Sequence, residues 1–145
     1  MAEVMESFMR KCIYIFMFLL IALSTLALFS SCKTSNTIYV DEKNSYFSDF
    51  MVENNEVFIK CYITLVNKFD VEKTVNLSAK LPEDVAIGLL KNEEIKALND
   101  DGSEMDFTLP PNSSKSFDVV FVGDFAGTYL KYDRLLPEIS INIVG

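Results

Sequence analysis

Paired carboxylates are the residues of this chain whose spacing could perform acid–base chemistry. Glu83 is followed by Asp84 and Glu93 by Glu94, and two carboxylates that face one cleft can hydrolyse a glycosidic bond. Adjacency along a chain does not bring two side chains to one cleft, and no other catalytic pattern accompanies these pairs. The chain has no His, which excludes Ser-His-Asp and Cys-His catalysis and His-ligated zinc. We therefore expect a protein that is not an enzyme.

The acidic segment 99–104 (Asn-Asp-Asp-Gly-Ser-Glu) contains the types of residue that bind calcium in loops. If Gly102 takes the place of the glycine of an EF-hand loop, the first and last ligand positions fall on Ala97 and Thr108, which carry no carboxylate. The segment is typical of a hairpin turn, and a looser calcium site is the alternative. We expect no metal site and no cofactor.

A 15-residue connection, residues 123–137, is the candidate binding loop. It is longer than connections usually are in a small β domain, and Tyr and Arg are enriched at binding hot spots. The alternative is structural: its aromatic residues cover the open end of the core, while Asp133 and Arg134 pair locally. The candidate binding residues are Phe125, Tyr129, Lys131, Tyr132, Asp133 and Arg134.

The N-terminal segment has the order of charge and hydropathy of a secretory signal peptide. Arg10 and Lys11 precede an apolar run from Cys12 to Phe29, and small residues follow it. An uncleaved membrane anchor is the alternative, because residues 12–31 are 20 residues long, about the length of one bilayer crossing. Both interpretations place the rest of the chain outside the cytoplasm.

The end of this run, Leu28-Phe29-Ser30-Ser31-Cys32, resembles the lipobox of bacterial lipoproteins. The resemblance implies that the peptide is cut directly before Cys32, with Ser30 and Ser31 as the cleavage-site residues. It also implies that the Cys32 thiol carries a diacylglyceryl group, whose acyl chains would hold the protein at the membrane.

Alternation of apolar and polar residues predicts short antiparallel strands in the rest of the chain. Cys61 occupies an apolar position of this alternation, so we expect a buried, unreactive thiol. Residues 82–90 begin with proline and two acids, which predicts one or two turns of helix. We also expect 94–98 to pair with 105–109 through the turn at Asp100-Asp101-Gly102. The strand segments are 57–65, 74–81, 94–98, 105–109, 117–121 and 139–143.

The segment 109–122 (LPPNSSKSFDVVFV) resembles the strand–corner–strand passage of bacterial immunoglobulin-like domains. The resemblance implies an all-β fold, an immunoglobulin-like antiparallel β-sandwich with one short helix. We expect this domain to occupy residues 46–145, after an apolar signal or anchor segment at 1–31 and a lipid-attached polar tether at 32–45. An open sheet backed by the 82–90 helix is the alternative.

The net charge of the chain limits the classes of molecule that it could bind. The 13 Lys and Arg residues against 21 Asp and Glu give a formal net charge of −8, which argues against nucleic acid. We expect a lipid-anchored, extracytoplasmic binding module on the bacterial cell membrane, with an envelope protein or a polysaccharide as its ligand. The alternative is an accessory or assembly subunit of an integral membrane complex, with the N-terminal segment as an uncleaved transmembrane anchor.

Overall fold

Antiparallel strands form most of the structure. The computed structural model describes residues 36–128 and 133–144. A 3₁₀ turn lies at Glu42–Asn44 and the short helix α1 at Pro82–Ala86. No helix in the described ranges combines the length and the apolar character that a bilayer crossing needs. The strands are β1 (Ile38–Val40), β2 (Tyr46–Glu53), β3 (Glu56–Asn67), β4 (Lys73–Lys80), β5 (Glu94–Ala97), β6 (Phe107–Leu109), β7 (Ser113–Asp124) and β8 (Glu138–Ile143).

All of these strands belong to one barrel-like sheet. β3 pairs with β7 along its whole length, and β1 and β2 pair with the opposite side of β3. β4 pairs with β8 on one side and with β5 and β6 on the other. Only Lys96–Val122 and Ala97–Phe121 join β5 to β7. The strands thus follow one path, β3–β7–β5–β4, with β1 and β2 at one end of the sheet and β8 at the other.

Because side chains alternate along each strand, one face of the sheet packs into a common core. In β3 the odd-numbered residues from Val57 to Leu65 are buried, as the period-2 pattern predicts. The Phe107 and Phe117 rings meet edge to face with centroids 5.0 Å apart, which joins β6 to β7. The all-β class is confirmed for the described residues, and α1 confirms the prediction of one or two turns of helix within 82–90.

A two-residue turn joins β2 to β3. Asn54 and Asn55 have φ angles of 50° and 66°, and Glu53 pairs with Glu56. Two positive φ angles define the type I′ turn, whose twist matches that of the adjoining strands. Asn adopts this conformation at lower cost than most residues with a Cβ.

The prediction that 94–98 pairs with 105–109 is wrong for most of their length. β5 and β6 lie end to end along β4, with Ile95 opposite Ala79 and Phe107 opposite Val75. The two segments pair only at the ends next to the turn, where Leu98 and Glu104 form a bridge and the Met105 N–H donates to the Ala97 carbonyl at 3.0 Å. Pairing both with β4 buries the apolar side chains of both segments in one core, which contributes more than a short hairpin would.

The prediction of a polar tether over residues 32–45 is also wrong for the second half of that range, because the folded domain begins before residue 46. Ile38 and Val40 of β1 pack against the core. Ser45 is buried: its hydroxyl donates to the Asp41 carbonyl oxygen at 2.7 Å and accepts from the Thr64 N–H at 2.9 Å. Two inward apolar residues in a polar segment are too weak a pattern to indicate a strand.

Gly123 marks a close approach of β7 to the side chains of Ile95 and Leu90. A Cβ placed there would lie 2.5 Å from Ile95 Cγ2 and 2.9 Å from Leu90 Cδ2. We expect Gly123→Ala to lower the free energy of unfolding by about 1–3 kcal/mol, because the core must shift to accept the methyl group. Urea denaturation measures this, with Ser114→Ala at an exposed site of the same strand as the control. An unchanged midpoint would contradict the close packing.

Candidate functional site

A buried ion pair fixes the end of the long connection. We call residues 133–137 the strap; it leads directly into β8. Arg134 of the strap donates through Nη1 to Asp84 Oδ2 and through Nη2 to Asp84 Oδ1, both at 2.9 Å. The two side chains are only 7% and 3% exposed. The guanidinium carbon also lies 4.1 Å from the centroid of the Phe50 ring, so the strap connects β2 with α1.

Helix α1 and the turn that follows it position the Asp84 carboxylate for its ion pair with Arg134. Pro82 occupies the first turn of α1, where its missing N–H costs nothing. The helix ends at once because Gly88 takes a φ of 78°, and the Asp84 carbonyl accepts the N–H groups of Leu89 (2.8 Å) and Leu90 (3.2 Å). The planar guanidinium matches a carboxylate through two parallel hydrogen bonds, a geometry that a Lys cannot provide.

The structure revises the list of candidate binding residues. Arg134 cannot serve as an exposed contact, because its side chain is buried against Asp84, and it does not pair locally with Asp133. Phe125 is half-buried and packs against the core, while its N–H donates to the Asn55 carbonyl at 3.0 Å. Asp133 is exposed. The other three candidates, Tyr129, Lys131 and Tyr132, lie outside the described residues.

Leu135 is the residue of the strap that the sequence did not single out. It is 88% exposed, while its neighbour Leu136 packs against the core. A cleft of about 410 Å³ lies on one side of the strap and one of about 600 Å³ on the other. The first is lined by Lys80, Leu81, Pro82, Glu83, Asp84, Asp133 and residues 134–138. The second is lined by Glu42, Ser45, Tyr46, Phe47 and the same residues 134–138.

The charges around these clefts are predominantly negative. Lys80 pairs with Glu138 at 2.8 Å, and Arg134 is neutralised by Asp84. Glu42, Glu83 and Asp133 are exposed, and none has an ion-pair partner among residues 36–128 and 133–144. The clefts therefore combine apolar walls with an acidic rim.

Three of the carboxylates considered for catalysis or calcium binding form hydrogen bonds within the fold. Asp84 binds Arg134, and the Glu94 carboxylate accepts the Ser78 hydroxyl. The Asp101 carboxylate accepts the Ser103 hydroxyl at 2.6 Å and its N–H at 2.9 Å, and these bonds lower the pKa of Asp101. Across the described residues no three His, Cys, Asp or Glu side chains lie together as a metal site would need.

The Cys61 thiol is buried in the core, and desolvation raises its pKa to about 12. In a Cys12→Ser/Cys32→Ser variant, we expect the Cys61 thiol of the folded protein not to react with Ellman's reagent at pH 8. After unfolding in urea, the same thiol should react fully. The unfolded thiol, with a pKa near 9.0, releases its proton first, so stability should fall as pH rises from about 9 to about 12. Rapid labelling of the folded protein would contradict this burial.

Comparisons with known proteins identify no relative: the chain matches no protein-family description, no curated protein and no solved structure. The candidate site accordingly rests on geometry and charge. The predicted signal segment 1–31, with its cleavage-site residues Ser30 and Ser31, lies outside the described residues, as does Cys32. These assignments stay predictions from the sequence.

Proposed function

We propose that this protein is a lipid-anchored, extracytoplasmic module of the bacterial cell envelope that acts by binding and not by catalysis. One observation carries the proposal: the described residues form a folded domain that begins a few residues after Cys32, and its surface carries two clefts beside the strap.

A lipid on Cys32 would hold the folded domain near the membrane surface, because only residues 33–37 lie between Cys32 and β1 and five extended residues span at most about 18 Å. A partner in the envelope could then bind at the clefts beside the strap. The net charge of −8 disfavours adsorption of the domain to anionic lipid, which supports attachment through the lipid alone.

Intact mass of the membrane-extracted protein from a bacterial host tests the anchor, with Cys32→Ala as the matched variant. We expect the mass of residues 32–145 plus a lipid adduct, and loss of the adduct in the variant. A full-length, unmodified mass in both proteins would overturn the proposal.

The second candidate function is an accessory or assembly subunit of an integral membrane complex. The 20-residue segment 12–31, which contains the apolar run, favours it, because an uncleaved helix of that length can cross a bilayer and pack against other membrane helices. Co-purification with an integral membrane protein after gentle solubilisation is the expected result, and a monomer of full-length mass would count against it.

We also propose that the barrel-like sheet is a variant of an immunoglobulin-like sandwich. Two antiparallel layers that face each other across one core support this assignment, together with the strand–corner–strand passage at 109–122. An experimental structure that keeps β2 and β8 unpaired would agree with it, whereas a barrel closed by pairing of these two strands would contradict it.

A further inference from the structure

We infer that the surface around Leu135 binds a basic protein segment, one in which Lys or Arg residues flank an apolar side chain. This inference rests on the proposed binding function and names the chemistry of its partner. We call the surface formed by Leu135 and the two clefts beside it the strap surface. Two independent properties of that surface, its shape and its charge, lead to the same partner.

The shape of the strap surface suits an apolar anchor. Leu135 is 88% exposed between two clefts whose walls include Leu81, Pro82, Phe47 and Pro137. Tyr46, which is 56% exposed, lines the second cleft, and a partly exposed aromatic ring is a frequent contact in protein interfaces. The ion pair of Arg134 with Asp84 fixes the backbone beside Leu135, so the surface is ordered before binding and less entropy is lost.

The charge of the strap surface selects the partner. Glu42 borders one cleft, and Glu83 and Asp133 border the other. Each is exposed and without an ion-pair partner in the described part of the chain. A segment bearing Lys or Arg beside its apolar residue would pair with these carboxylates.

The same charge argues against other occupants. A second copy of this chain also carries a net charge of −8, and anionic lipids and acidic polymers are negative as well. Like charges brought together at an interface cost free energy and slow association. A cationic protein segment is the occupant that both the acidic rim and the apolar centre favour.

Peptide binding to the full chain in phosphatidylcholine nanodiscs tests this inference. The probe is a fluorescein-labelled peptide, Ser-Lys-Lys-Leu-Leu-Lys-Lys-Ser, measured by anisotropy; matched peptides replace its Lys residues with Glu or its Leu residues with Ser. We expect the basic apolar peptide to bind about tenfold more tightly than either matched peptide, and its binding to weaken as salt rises.

Matched variants separate local recognition from general attraction to an acidic protein. Glu42→Gln/Glu83→Gln/Asp133→Asn should weaken binding about tenfold, while Glu56→Gln/Asp70→Asn/Glu72→Gln removes the same charge at exposed sites elsewhere and should leave it within about twofold. Leu135→Ser should also weaken binding, unlike Val71→Ser, which changes an exposed apolar residue away from the strap surface.

Equal losses in the two triple variants, or unchanged binding by Leu135→Ser, would overturn the inference. Thermal unfolding of each variant shows whether the fold is retained. The outcome is distinguishable from failure of the proposed anchor, because peptide binding does not depend on whether Cys32 is lipidated. An unmodified full-length mass would overturn the anchor and leave the peptide result standing.

Discussion

Asp84→Asn is expected to lower the free energy of unfolding by about 3–5 kcal/mol. The substitution keeps the size of the side chain and removes the negative charge that faces the buried Arg134 guanidinium at 2.9 Å. Both side chains are almost fully buried, so water cannot replace the lost carboxylate. Chemical denaturation of the wild-type and variant proteins measures the difference.

Two further variants show whether burial is the cause. In Asp84→Leu/Arg134→Met both charges are replaced by apolar groups, and we expect much of the lost stability to return. Glu138→Gln breaks the exposed pair with Lys80, whose side chains are 71% and 47% exposed, and should cost no more than about 1 kcal/mol. If Asp84→Asn cost no more than Glu138→Gln, the ion pair would not be a buried link between α1 and the strap.

Asn67→Ala is expected to lower the free energy of unfolding by about 3–5 kcal/mol, because several buried or partly buried backbone groups lose a hydrogen bond at about 1–3 kcal/mol each. Asn67 is fully buried. The two N–H groups of its amide are shared among the carbonyl oxygens of Val71 (3.0 Å), Leu109 (3.2 Å) and Pro110 (2.9 Å), and its oxygen accepts the Phe69 N–H at 2.9 Å. One side chain thus joins the end of β3 to two separate turns.

Urea denaturation checks this prediction too. Asn67→Asp retains the size and the acceptor but loses the donor, so it should also destabilise the fold strongly. Asn142→Ala, at an exposed position of β8, is the control and should change stability by no more than about 0.5 kcal/mol. A loss below about 1 kcal/mol in Asn67→Ala would mean that water or a relaxed backbone satisfies the freed groups.

The sequence alone was sufficient to predict the structural features that depend on the pattern of apolar and polar residues within one segment. Alternation predicted the buried face of β3, and proline followed by two acids predicted α1. Each signal lies within a segment of about ten residues, where the period of the apolar positions decides the structure. Pairing between segments was less predictable, because several strands can bury the same side chains; the end-to-end arrangement of β5 and β6 is the example.

The candidate site could be predicted only in part for the same reason. The connection 123–137 was identified by its length, but Arg134 was expected to contact a partner. Its partner within the fold, Asp84, lies 50 residues away in sequence, and no local pattern joins the two. Leu135 was overlooked because an apolar residue is ordinarily expected to be covered, and its exposure depends on how Arg134 directs the strap.

The tight turn between β2 and β3 has a kinetic consequence. Asn54 and Asn55 already favour the conformation that the type I′ turn requires, so the two strands can meet in microseconds. The pairing of β3 with β7 must instead enclose residues 68–112, and closing such a long loop costs far more chain entropy. We therefore expect folding to begin with the β2–β3 hairpin and to include a slower step in which β7 pairs with β3. Until β7 pairs with β3, one long edge of β3 stays exposed, and this is the stage of folding at which the chain is most prone to aggregate.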